Sequence, residues 1–221
     1  QGAQWLSSMR DADALCVVVR DFDDPGVFHP HDDVNAIRDA RELETELILA
    51  DLGLVETRLE RMAKDLRHSK DARALREKDY IEAVGAWLEQ EKPLREMVWD
   101  EQMEAAIKSL GFLSRRPLVV VHNTDQEGAD PTAAESGLGA DIPAVNINVK
   151  LELEVAAIDD PDEQAMFLEE LGISEPAAGV LSRVTYEAAG LISFFTVGQD
   201  EVRAWTIRRG LLAQRAAGKI H

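Results

Sequence analysis

Cysteine is nearly absent. Cys16 is the only one in 221 residues, so no internal disulfide can form, and the composition points to a reducing, cytoplasmic setting. That cysteine lies in the apolar run Ala14–Val19, where a buried thiol is expected to pack as an inert small hydrophobe and not to act as a nucleophile. Long apolar runs are missing too. None approaches the roughly 18 residues a membrane-spanning helix needs. The opening Gln1-Gly2-Ala3-Gln4-Trp5-Leu6 has neither the basic flank nor the apolar core of a signal peptide. It also starts without Met, as a fragment would. Positive charge is scarce: 24 Lys and Arg against 42 Asp and Glu give a net charge of −18. Such a field opposes non-specific nucleic-acid binding and gives no reason to expect sequence-specific DNA recognition. A local basic face, with Arg203, Arg208, Arg209, Arg215 and Lys219 as candidates, would still act within a Debye length of about 8 Å. The other reading of these five residues is a solvated basic surface. Finally, the phosphate-cradling pattern G-x-x-x-x-G-K-[ST] does not occur. Gly218-Lys219-Ile220 lacks both the hydroxyl and the leading glycine loop.

Residues 3–13 read as a short amphipathic helix, and Ala14–Val19 as a fully buried strand ending in Arg20-Asp21-Phe22. Asp23-Asp24-Pro25-Gly26 is a turn. A long helix is expected over 34–67, with Asp32 or Asp33 as its N-cap. Within it Ile48, Leu52, Val55, Leu59, Met62 and Leu66 alternate spacings of four and three, which makes an a/d seam. A second helix over 72–91 carries Ile81, Val84 and Leu88 and stops before Pro93. Together they form an antiparallel hairpin or an ordinary two-helix packing within a bundle. A third helix spans 96–110 and stops at Gly111. Pro117–Asn123 is a second Val-rich strand, Gln126–Gly139 a mobile loop, and Ile142–Val149 a third strand. Helices follow over 163–171 and 177–191. The alternation is that of an α/β sheet interrupted by a helical hairpin.

Three groups of residues invite chemistry. Polar Asn123-Thr124-Asp125-Gln126 follows a buried strand, where a plain polar cap is the ordinary reading of the residues by themselves. His29-Pro30-His31-Asp32-Asp33 has metal-ligand residue types, but so short a run seldom converges on one ion without a rigid frame. Trp205 beside Arg203 suits RNA stacking or, more commonly for tryptophan, a core position. Glu201 stands two residues from Arg203, close enough to pair with it on one strand face.

The C-terminal run Phe194-Phe195-Thr196-Val197-Gly198, with Glu201-Val202-Arg203-Ala204-Trp205-Thr206, resembles the point where a TGS domain begins in the YchF family of Obg-related P-loop NTPases. Further likeness runs through Asp13-Ala14-Leu15, Val18-Val19-Arg20, Glu42-Leu43, Ala50-Asp51-Leu52 and Phe167-Leu168-Glu169-Glu170-Leu171-Gly172. The resemblance implies a partial G-domain-like P-loop NTPase sheet over 1–45 and 112–190, an inserted antiparallel coiled-coil hairpin over 46–111, and the start of a β-grasp TGS domain at 191–221. It implies base recognition by Asn123 and Gln126, where the family has Asn-x-x-Glu, with Glu127 reachable by a one-residue shift. It further implies contacts from Asn148, Val149 and Lys150, where the family has Ser-Ala-Lys. The Lys150 stem would pack on the base, or it is a plain surface lysine. Implied cofactors are ATP or, less well, GTP, with Mg²⁺ held by residues upstream of this chain. The implied partner is the ribosome. The chain alone is expected to be inactive, with no catalytic residue or metal ligand of its own. A degenerate homologue serving as an interaction module is the alternative.

Overall fold

The computed structural model describes residues 9–67, 71–126, 133–173, 175–198 and 200–220. Residues 3–8 of the helix expected over 3–13 lie outside them, as does Glu127; of the rest, only Met9 and Arg10 are helical. The chain divides into two compact units. One joins the first residues up to Leu15 with Arg38–Pro117; the other joins Cys16–Ile37 with Leu118–His221.

The first unit is helical. Helix α1 (Ala36–Asp65) and helix α2 (Ala72–Leu88) supply most of its core. Ile48, Val55 and Met62 meet Ile81, Val84 and Leu88, with Leu52 and Leu59 packed alongside. Three of the six seam residues are therefore buried, and Leu52, Leu59 and Leu66 are half-buried. Arg58 pairs with Glu77, while Val55 faces Gly85. Moving back along α1 thus means moving forward along α2, so the two helices run antiparallel. Two boundaries differ from expectation. α1 starts at Ala36, which puts Asn35, not Asp32 or Asp33, at its cap position. α2 stops at Leu88, well before Pro93, because Glu91 adopts a left-handed φ of 58°. The third helix is also shorter: α3 (Glu101–Ile107) is capped by Asp100, whose carboxylate accepts from Met103 N at 2.7 Å. Single 3₁₀ turns flank it, and it closes at left-handed Gly111.

The second unit holds a three-stranded sheet in the order β1 (Leu15–Asp21), β2 (Leu118–Thr124), β3 (Ala144–Ile147). β2 and β3 run parallel, with Val121 opposite Val145 and Asn123 opposite Ile147. Central β2 is buried except at Asn123, near its carboxyl end. β1 was expected to be buried throughout and is not. As the outer strand it exposes Cys16 and Val18, and the Cys16 thiol lies 3.7 Å from Thr185 Oγ1. The expected third strand is cut short, because Val149 already begins helix α4 (Val149–Ala156). Helix α5 (Pro161–Glu170) follows, capped by Asp160. Helix α6 (Ala177–Ala188) lays Val180, Leu181 and Val184 on Val121, Val145 and Ile147. It ends three residues earlier than expected, since Leu191 opens a hairpin.

That hairpin pairs β4 (Leu191–Val197) antiparallel with β5 (Val202–Arg208), and a short helix α7 (Ala213–Ala217) follows. Trp205 was expected in a core. It is only half buried, with its indole N–H donating to Thr196 Oγ1 at 3.0 Å. Arg203 lies 4.3 Å above its ring and does not turn to Glu201. Among the described residues no helix is long and apolar enough to cross a membrane.

Candidate functional site

In open parallel sheets, ligands bind beyond the carboxyl ends of the strands. The second unit has a cavity there of about 620 Å³. Three chain segments line it: Phe22–Asp24 with Val27 after β1, Asn123–Asp125 at the end of β2, and residues Asn148–Leu151, Leu153 and Glu154 of α4.

Local chemistry fixes each wall. After β1, Arg20 gathers the turn around itself. Its guanidinium donates to the carbonyls of Phe22 at 2.9 Å, Asp24 at 2.8 Å and Val27 at 2.8 Å, and it sits 4.7 Å over the Phe22 ring. The Asp24 carboxylate accepts from Gly26 N at 2.8 Å, an Asx-type turn. After β2, Asn123 Oδ1 accepts from Val149 N at 3.3 Å. That leaves the amide N–H pair as the donor Asn123 brings to the cavity. Thr124 Oγ1 accepts from Gln126 N at 3.2 Å. On the third wall, Asn148 caps α4 by accepting from Leu151 N at 3.0 Å, and Lys150 follows in the first turn.

Four of the five residues expected from the sequence therefore line one cavity: Asn123, Asn148, Val149 and Lys150. Gln126 does not. It is exposed beyond Thr124. The wall after β1 is the part that sequence reasoning missed. Its signal was an arginine closing a strand just before an Asp-Asp-Pro-Gly turn. Charge in the lining is lopsided, with Asp23, Asp24, Asp125 and Glu154 against Lys150 alone. Such a lining suits an uncharged polar ring laid on Phe22, Val149 and Leu151 better than a polyanion.

Comparison with known proteins agrees with this architecture. The YchF-GTPase_C family model, described as a protein of unknown function (DUF933), matches residues 191–221. The chain is 36% identical over 228 residues to the "Ribosome-binding ATPase YchF" of Bacillus subtilis, which covers all of this chain and 62% of that protein. It is 34% identical over 230 residues to the protein of the same name from Escherichia coli O157:H7, with 61% of that protein covered. It is 31% identical over 228 residues to "Obg-like ATPase 1" of Caenorhabditis elegans, with 58% covered. The solved structure of the Schizosaccharomyces pombe YchF GTPase superposes with a TM-score of 0.76 at 29% identity, over 98% of this chain and 61% of that one. The chain thus spans about three fifths of the length of the relatives it matches. Along its whole length, in sequence and in fold, this chain is similar to the YchF proteins.

Proposed function

We propose that this chain reads the base of a nucleoside triphosphate, as the base-binding portion of an ATPase that uses GTP less well and associates with ribosomes in the cytoplasm. The observation that carries the reading is the convergence of Asn123, Asn148, Val149 and Lys150 on one cavity at the carboxyl end of a parallel strand pair. Amide groups at the rim can meet a purine edge, and the Lys150 stem can cover its face. The acidic lining fits a division of labour in which the base enters here and the phosphates are held elsewhere. In P-loop NTPases that second task, with Mg²⁺, falls to the glycine-rich loop and its neighbours, and this chain carries no such pattern. Taken alone it should not hydrolyse nucleotide. On this reading residues 1–45 and 112–190 form the G-like domain, 46–111 the coiled-coil insertion, and 191–221 the start of a TGS domain. Ribosome association follows the printed names of the bacterial relatives; membranes and sequence-specific DNA are not among the proposed partners.

One observation favours a second reading, an interaction module that has lost catalysis. Gln126 stands where the family has an acidic residue, and it lies away from the cavity lining.

Saturation-transfer NMR with millimolar ATP and GTP separates the two. Base reading predicts stronger saturation of the purine protons than of the ribose, stronger for ATP than for GTP. Asn123→Ala should weaken binding by about 1–3 kcal/mol, the cost of leaving a buried polar partner unmet. Absence of transfer from either nucleotide would favour the interaction module.

A further inference from the structure

The polar groups of the cavity differ in what they can still offer a ligand. Asn123 Oδ1 accepts from Val149 N, Asn148 Oδ1 from Leu151 N, and Asp24 Oδ1 from Gly26 N. The two side-chain amides are thus left with their N–H donors. The carboxylate of Asp125 is in another position. It lines the cavity, and no described residue donates to it or pairs with it. Of the four carboxylates in the lining, Asp125 alone shares a chain segment with Asn123, two residues further on. Gln126, next along, is exposed and outside the lining. The end of β2 and the residue after it therefore bring an amide donor and a carboxylate acceptor to one wall.

Purines present a matching pair of groups. N7 accepts in adenine and guanine alike. Beside it, position 6 carries an amine that donates in adenine and an oxygen that accepts in guanine. With the Asn123 amide donating to N7, a neighbouring carboxylate accepts from the amine and repels the oxygen. Lys150, the single cation of the lining, could offset that repulsion. It shares a face of α4 with Glu154, four residues on, and no ion pair joins it to Asp125.

We infer that Asp125 selects the base: its carboxylate accepts from the 6-amine of adenine while the Asn123 amide donates to N7. The inference rests on the base-reading proposed above and deepens it. It places the acidic half of base recognition one residue ahead of Gln126. It also makes the preference for adenine over guanine depend on one exposed side chain.

The test is an NMR titration of this chain with adenosine and with purine riboside, which differs from adenosine only in lacking the 6-amine. The expected result is three- to tenfold tighter binding of adenosine, about the worth of one hydrogen bond. Asp125→Ala should bring the two affinities together by weakening adenosine alone. The side chain is exposed and bonded to no described residue, so the fold does not depend on it. Gln126→Ala should leave the ratio unchanged. Equal binding of the two nucleosides by the unaltered chain overturns the inference and leaves base-reading standing. So does a ratio that survives Asp125→Ala, or one that is lost in Gln126→Ala. Failure of both nucleosides to bind removes base-reading and this inference with it.

Discussion

Asp51 is a carboxylate with no exposure to water that gathers three donors around it. Leu113 N and Arg10 Nη1 reach Oδ1 at 2.9 and 3.2 Å, and Ser114 N reaches Oδ2 at 2.7 Å. Arg10 also donates to the Gly111 carbonyl at 2.9 Å. One side chain in α1 thereby pins the segment that leads from the helical unit toward β2. Removing it strands two buried N–H groups and a guanidinium. Asp51→Ala should therefore cost about 3–5 kcal/mol, the range for breaking a buried charged pair, read as a lower midpoint in urea unfolding. Burial pushes the Asp51 carboxyl above its ordinary value, against the lowering effect of the two backbone N–H bonds, the Ser114 side chain and Arg10. The sign follows from linkage. A raised folded-state pKa contributes stability that is full below the unfolded value of about 3.9 and is lost as pH rises through the folded value. The stability of the unaltered protein relative to Asp51→Asn should thus decline from acid toward neutral pH, which urea titrations at several pH values would register. A difference that grows with pH would mean the donors outweigh burial.

Helix packing raises a separate question at Gly85, where a Cβ would meet Val55 Cγ1 at 3.1 Å. The close approach of α1 and α2 depends on that missing atom. Gly85→Leu should destabilise the helical unit by about 1–3 kcal/mol through overpacking, seen as a lower thermal midpoint; an unchanged midpoint would show that the seam has slack. The seam itself was legible in the sequence, because burial along one helix face repeats every three to four residues and Ile48, Val55 and Met62 obey that period. Helix α4 was not legible. Val149, Leu151, Leu153 and Val155 alternate as strand residues do, yet only Leu151 and Val155, one helical turn apart, are buried. The burial of β1 was misjudged for a related reason. A run of apolar residues does not say whether its strand is central or outermost, and Val18, 59% exposed, reports the outer position. At the cavity, the walls after β2 and β3 were legible through residue types that resemble a family pattern. The wall after β1 was not, because it is built from backbone carbonyls collected by Arg20, and backbone geometry leaves little trace in residue identity.

Over the whole molecule a net charge of −18 sets the long-range field, so association with a polyanion has to come from a local face. Arg203, Arg208, Arg209, Arg215 and Lys219 are all exposed in the last twenty residues. On the proposed ribosome association, Arg208→Glu with Arg209→Glu should weaken cosedimentation with ribosomes. It should also reduce the salt dependence of log affinity by about 1.4–1.8, the loss of two phosphate contacts. An unchanged slope would move the docking surface elsewhere. The division of the chain has a different consequence, in time and not in energy. The helical unit takes its residues from the start of the chain and from Arg38–Pro117, and Leu15 N donates to the Pro117 carbonyl at 2.9 Å. During synthesis that unit is complete as soon as Pro117 emerges. Among the described residues, the strand that pairs with β1, finished at Asp21, begins only at Leu118. At about 5–20 residues per second, the ~100 intervening residues take on the order of 5–20 s. Through that interval β1 waits for β2, an apolar strand open to pairing with a wrong partner.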